Sequence, residues 1–150
     1  NPVRIVVDSK ARTPLDAALV TDGAALTIIA VTAKAPQERV QALKEKGVAI
    51  MVAGDDEQVD MNLLLQKLGE MEICSVFVEG GGQVNFSLLR AGLVDKVHAF
   101  IAPKLIGGRE ALTPVEGEGF AELAEAVELE RTTVETIGQD ILLTGYVKRR

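Results

Sequence analysis

The sequence predicts an α/β domain: a mainly parallel sheet with helices on both faces and an antiparallel hairpin at the C-terminal end. Three observations carry this expectation. Short runs rich in Val and Ile alternate with stretches of helical spacing, the pattern of strands buried on both faces by crossover helices. Gly and Pro punctuate the junctions, where chain reversals need them. The chain closes on two alternating runs around Gly138-Gln139-Asp140, the signature of a β-hairpin.

The elements follow in order. "VRIVVDS" (residues 3–9) is a short β-branched run ending in Asp8 and Ser9, and reads as a buried strand. "KARTPLDAAL" reads as a loop punctuated by Pro14. "ALTIIAVTA" (residues 25–33) is a second strand. "PQERVQALKEKG" is a helix, with Pro36 in its first turn, Val40 and Leu43 on one face and Gly47 as its stop. "VAIMVAG" is a third strand. Asp60 is placed to cap "MNLLLQKLGEM", where Leu64, Leu68 and Met71 share a helical face. "ICSVFVE" is a fourth strand and "QVNFSLLRAG" a helix stopped by Gly92. "KVHAFIAPKLIG" is a fifth strand. In the terminal hairpin Val127, Leu129 and Val134 precede the turn, while Ile141, Leu143 and Tyr146 follow it. No repeat, linker or low-complexity tract interrupts the chain, so one domain over residues 1–150 is expected.

Composition narrows the function. Twenty-two acidic against sixteen basic side chains give a net charge of −6, which disfavours nucleic acid as a partner. A single cysteine, Cys74, excludes an internal disulfide, and with one histidine, His98, leaves too few ligands for a zinc site. No metal is expected. Nothing approaches the length of an apolar membrane span, and no signal peptide is legible, so the reading is a cytoplasmic protein without a membrane partner. The abrupt start at Asn1 reads as that of a fragment or a processed chain.

In parallel sheets ligands bind beyond the carboxyl ends of the strands. Two such ends stand out. After "SVFVE" come Gly80, Gly81 and Gly82, then a helix. Glycine lets a ligand approach the main chain, and a helix start offers free N–H groups and a positive dipole end to a phosphate. The dinucleotide spacing G-x-G-x-x-G is not met, because its last position is Asn85. From the pattern alone, a phosphate cradle and a tight packing turn are equally supported. Glu79, taken alone, reads as a solvated rim carboxylate. Ser9 and Arg12 could hold a phosphate by a hydroxyl and a guanidinium, although a surface Arg and a turn Ser are the commoner occurrence. His98 lies in an alternating strand and reads as a packed or edge residue. Cys74 reads as core, Lys104 as a strand lysine reaching for solvent, and Lys148, Arg149 and Arg150 as a solvated tail. No side chain stands out as a nucleophile or general base.

"IVVDSKARTPLDAAL", "VFVEGGGQVNFSLLRAGLVDKVHAFIAPKLIGG" and "DILLTGYVKR" closely resemble the reductase domain of the bacterial bifunctional deaminase/reductase of riboflavin biosynthesis. The likeness runs through nearly the whole chain. It implies a dihydrofolate-reductase-like, three-layer fold with a mixed sheet and the hairpin at its edge. It also implies NADPH as cofactor, used to reduce the ribosyl group of a phosphoribosylamino-pyrimidine, 5-amino-6-(5-phosphoribosylamino)uracil, to ribityl. By the resemblance Ser9 belongs to the NADPH site and Arg12 lies near the adenosine 2′-phosphate. Gly81, Gly82, Gln83, Val84, Asn85, Phe86 and Ser87 form the turn and helix start that carry the cofactor phosphates. Glu79 contacts substrate. In such folds the matching Gly-Gly bond is cis, which places a cis bond between Gly80 and Gly81. The family's domain begins earlier, with a strand and a Ser-Leu-Asp-Gly stretch that this sequence lacks, and a zinc deaminase domain usually precedes it. The resemblance thus leads us to expect a sheet short of one strand, an exposed edge, and association into at least a homodimer. It leaves a second reading open, a non-catalytic NADPH-binding or assembly piece of that enzyme.

Overall fold

The computed structural model describes residues 1–108 and 110–149. The chain divides into two compact units, residues 1–76 and 77–150.

The first unit is a three-layer α/β structure. Strands β1 (Arg4–Val7), β2 (Thr27–Val31) and β3 (Ala49–Val52) are all parallel, in the order β1-β2-β3. The central strand β2 is buried throughout, as its unbroken apolar sequence requires. Its alternation divides the core in two. Ile29 and Val31 pack with Val20, Val40 and Leu43 on one face. Ile28 and Ala30 pack with Val59, Leu64 and Leu68 on the other. The register Ile28↔Ala49 and Ile5↔Ile28 keeps each face in line across the strands.

The helices lie where their spacing predicts. A short helix α1 (Ala18–Thr21) folds within the segment expected to be loop. Helix α2 (Gln37–Glu45) follows Pro36 and ends before Gly47, whose φ of +85° reverses the chain. Helix α3 (Met61–Glu70) is capped by Asp60, whose carboxylate accepts from the N–H groups of Asn62 (2.8 Å) and Leu63 (3.1 Å). Leu64 and Leu68 are buried, whereas Met71, expected on the same face, lies past the helix end and is 46% exposed.

The second unit holds helix α4 (Gly82–Arg90) and an antiparallel sheet of order β4-β6-β5. Strand β4 is Lys96–Ile101, β5 Leu129–Ile137 and β6 Asp140–Val147. The hairpin turns at Gly138-Gln139, with Ile137 opposite Asp140, as expected from the sequence. A shift between Glu130 and Thr133 coincides with Arg131 at φ +50°. His98 is on the edge strand β4, exposed and within 3.0 Å of the Thr144 hydroxyl across the ladder. A short 3₁₀ turn spans Leu123–Glu125. Lys104 is exposed beyond the end of β4. Lys148 and Arg149 form exposed ion pairs with Glu128 and Asp95; Arg150 lies outside the described residues.

Three expectations are corrected. The run 73–79 is not a strand: residues 73–80 make no ladder among the described residues, and Val76, Phe77 and Val78 are exposed. A uniformly apolar run records a preference for burial, but a strand also needs a partner edge for its N–H and C=O groups. None of the described strands supplies one. The α/β class stands, but with two separate sheets in place of one mixed sheet with the hairpin at its edge, because the expected joining strand is unpaired. Cys74, expected in the core, is exposed with its Sγ 3.4 Å from the Glu72 carbonyl, since the strand that would have buried it does not form.

Candidate functional site

The first cluster lies where β1 ends. Asp8 directly follows β1, its N–H still bonded to the Ala30 carbonyl (2.9 Å), and only 8% of it is exposed. Its Oδ2 accepts the Thr13 N–H at 2.6 Å and the Thr13 hydroxyl at 2.7 Å. Arg12 approaches the other oxygen at 3.9 Å. Burial by itself raises the Asp8 pKa. The Thr13 hydroxyl, the N–H groups of Arg12 and Thr13 and the Arg12 charge outweigh it and hold the carboxyl below its ordinary value. The chain therefore closes a tight loop from Asp8 to Thr13 around an ionised carboxylate. Ala11, with φ +52° and no exposure, is folded into that loop.

Ser9 is tied down on both sides. Its carbonyl accepts the Thr32 N–H and the Thr32 hydroxyl, each at 3.2 Å. Its own hydroxyl accepts the Val59 N–H at 3.2 Å. A hydroxyl carries one donor besides its acceptor sites, so the Ser9 hydroxyl can also donate to a ligand oxygen. Arg12 is 85% exposed and projects from the same loop. Glu57 joins Lys10 of this loop to Lys34, at 3.5 and 3.2 Å; the Lys34 bond first, then Lys10, holds the Glu57 carboxyl below its ordinary value. The loop thus presents a fixed hydroxyl and an exposed guanidinium, a set suited to a phosphate.

The second cluster is the glycine turn. Gly81 is the N-cap of α4 at φ +85°, in the left-handed region that favours glycine, and no side chain caps the helix. The first turn of α4 leaves its N–H groups to other partners, since the first bond back to the turn is from Asn85 N–H to the Gly81 carbonyl (2.9 Å). The Gly80-Gly81 peptide is trans, not cis as expected. The reversal is made instead by the dihedral angles that glycine alone adopts readily.

Gly82 answers a different need. A Cβ there would collide with the side chain of Glu116, so the bare backbone admits the segment around Glu116, whose N–H donates to the Gly82 carbonyl at 3.1 Å. The side chains later in the predicted stretch have neighbours of their own. Asn85 donates to the Pro114 carbonyl at 2.7 Å, the Ser87 hydroxyl donates to the Gln83 carbonyl at 2.8 Å, and Phe86 is buried with its ring 5.5 Å from that of Phe120. Gln83 is exposed and Val84 half-buried. The groups that can meet an anion are therefore the backbone N–H groups of the first turn.

Of the sequence-predicted residues, Ser9 and Arg12 come together in the first unit. Glu79, exposed, and Gly81 to Ser87 lie in the second. Sequence reasoning missed Thr13, Thr32 and Arg39, each bonded into the Asp8 loop. Only Thr13, in the run "DSKART", carried a local signal, as a hydroxyl a few residues after an Asp. Among the described residues no group of His, Cys, Asp and Glu side chains could hold a metal ion, and no helix is long and apolar enough to cross a membrane.

A family model described as the RibD C-terminal domain matches residues 1–143. The riboflavin biosynthesis protein RibD of Actinobacillus pleuropneumoniae is 45% identical over 147 residues, which cover 97% of this chain and 39% of that protein. The 2,5-diamino-6-ribosylamino-4(3H)-pyrimidinone 5′-phosphate reductase of Methanothermobacter thermautotrophicus is 45% identical over 148 residues, covering 99% of this chain and 67% of that one. Among solved structures, Acinetobacter baumannii RibD superimposes with a TM-score of 0.79 at 24% identity, over 98% of this chain and 38% of that one. That likeness shows the fold. The chain spans about two fifths of the length of the RibD relatives.

Proposed function

Because this chain belongs to the RibD C-terminal domain family, we propose that it is a pyrimidine reductase of riboflavin biosynthesis. It uses NADPH to reduce 5-amino-6-(5-phosphoribosylamino)uracil to the ribitylamino product. The observation that carries the reading is the Asp8–Thr13 loop, with a fixed Ser9 hydroxyl that can also donate and the exposed Arg12 beside it. The uncapped start of α4 at Gly81 supports it. Reductase relatives at 36–45% identity support it further.

The residues present suit the cofactor's phosphates. Ser9 and Arg12 hold the adenosine 2′-phosphate by a hydroxyl and a guanidinium. The N–H groups at the start of α4, Gly81 to Val84, hold the pyrophosphate, with Asn85, Phe86 and Ser87 shaping that turn. The bound cofactor supplies the hydride for C1′ of the opened sugar. The protein binds, aligns and excludes water, and Glu79 contacts the substrate. No side chain acts as nucleophile or base.

The protein works in the cytoplasm as at least a homodimer, residues 1–150 form one reductase domain, and a deaminase domain accompanies it in the longer relatives. The assay is oxidation of NADPH, read by its absorbance, with the phosphoribosylamino-pyrimidine as substrate. Turnover establishes the reductase. A second reading is a non-catalytic binding or assembly piece, and NADPH binding without turnover would select it. Light scattering at micromolar concentration tests the dimer.

A further inference from the structure

We infer that Arg39 is a positioning residue that gives the Asp8–Thr13 loop its selectivity for a 2′-phosphorylated cofactor. The inference rests on the reading of that loop as the 2′-phosphate site. Arg39 lies in the first turn of α2, a helix anchored by the buried Val40 and Leu43. Its Nε donates to the Ala11 carbonyl at 3.0 Å and its Nη2 to the Thr13 carbonyl at 2.8 Å. Those two carbonyls flank Arg12. One rigid fork therefore grips the main chain on both sides of the residue that faces the phosphate.

The grip matters because the Arg12 side chain is not held by itself. It is 85% exposed, and its ion pair to Asp8 is 3.9 Å long. Where its guanidinium can reach is set by the backbone beneath it. Asp8 fixes the loop through Thr13, and the Ala11 N–H is bonded to the Asp8 carbonyl at 3.0 Å. Without Arg39 the Ala11 and Thr13 carbonyls lose their donors and the Arg12 backbone gains freedom. Binding must then order it again. That loss falls on the contact with the 2′-phosphate, which NADPH has and NADH lacks. A lysine in place of Arg39 offers one compact ammonium, which cannot span two carbonyls as the planar fork does.

The test titrates NADPH and NADH into the unmutated chain, Arg39→Ala and Arg39→Lys, with a thermal melt of each. In Arg39→Ala the NADPH affinity is expected to fall about five- to tenfold while the NADH affinity stays within about twofold. Arg39→Lys is expected to recover part of the NADPH affinity. If both affinities fall alike in step with the melting temperature, Arg39 is merely structural and the inference is overturned. Retention of the full NADPH preference in Arg39→Ala overturns it as well. Should Arg39→Ala fail to fold, an unchanged preference in Arg39→Lys does the same. An unmutated chain without any preference for NADPH removes the reading of the loop itself, and this inference with it.

Discussion

The two units solve the same problem in opposite ways. Each must begin a helix or loop beyond an apolar run. The first unit does so with side chains at the Asp8 loop and at α3, although α2 begins after Pro36 with no side-chain cap. Asp8 takes the Thr13 N–H and hydroxyl, Arg39 takes the carbonyls of Ala11 and Thr13, and Asp60 takes two N–H groups at the start of α3. The second unit begins α4 at Gly81 with no side-chain cap at all. A helix start closed by its own carboxylate has no room for a foreign anion, whereas one left bare does. The loop of the first unit presents one charged side chain, and the bare turn of the second presents backbone donors.

The largest expected effect comes from removing the anchor of the first solution. Asp8→Ala deletes a buried carboxylate and leaves the Thr13 N–H and hydroxyl without their acceptor. We expect a loss of roughly 3 kcal/mol of stability in urea denaturation. The same carboxylate gives a pH signature. Its folded pKa lies below its ordinary value, so its contribution is complete above about pH 4, the unfolded value, and is lost as pH falls through the lower folded one. The acid limb of the stability curve should flatten in Asp8→Asn. An unchanged limb would mean that the loop is held by packing, and the contrast with the glycine turn would weaken.

Next is Arg12→Ala, which removes the charge that the loop presents while leaving its anchors in place. It should weaken NADPH by about 1.5–3 kcal/mol and leave NADH untouched, because a hydrogen bond to a charged group has that magnitude. Equal loss for both cofactors in titration calorimetry would place the adenosine phosphate elsewhere. Gly81→Ala probes the other side of the comparison. The added Cβ meets only Val84, at ordinary contact distance, but the φ of +85° disfavours any side chain. We expect NADPH to bind at least about tenfold more weakly, roughly 1.4 kcal/mol, with about 1 kcal/mol lost in the unit's stability. Full affinity in that variant would show that the turn serves packing, as Gly82 does against Glu116.

The comparison also marks what the sequence could reveal. The Asp60 cap, the Leu64 and Leu68 stripe and the turn at Gly138-Gln139 are local, and each was legible because its partners lie within a few residues. Ser9 and Arg12 were legible as candidates, and their family resemblance pointed to the cofactor. Their supports were not. Arg39 meets the loop from 26 and 28 residues away, and Thr32 meets Ser9 from 23. No periodicity records such a pairing. Residues 73–79 failed for a related reason: their composition fits a doubly buried strand, but composition does not say whether a partner edge is present. At Gly80-Gly81 the reversal is made by positive-φ glycine dihedrals with a trans bond.

The smallest effect should come from Asp60, and it sharpens the contrast most directly. Its carboxylate satisfies the N–H groups of Asn62 and Leu63 at an exposed position. Asp60→Ala removes both bonds and is expected to cost about 1 kcal/mol, while Asp60→Gly should cost only a few tenths, because water reaches the freed donors more easily. Asp60→Gly also makes the start of α3 resemble that of α4, a glycine N-cap with no side chain over it. If a bare helix start were enough to recruit the cofactor, that variant would bind additional NADPH. We expect one site in both proteins by titration calorimetry, because uncapped N–H groups bring no charged side chain to a phosphate, and the Ser9 hydroxyl beside this helix start is already engaged by the Val59 N–H. A second binding event in Asp60→Gly would show that uncapped N–H groups alone hold the cofactor, and that the Asp8 loop contributes less than its geometry suggests.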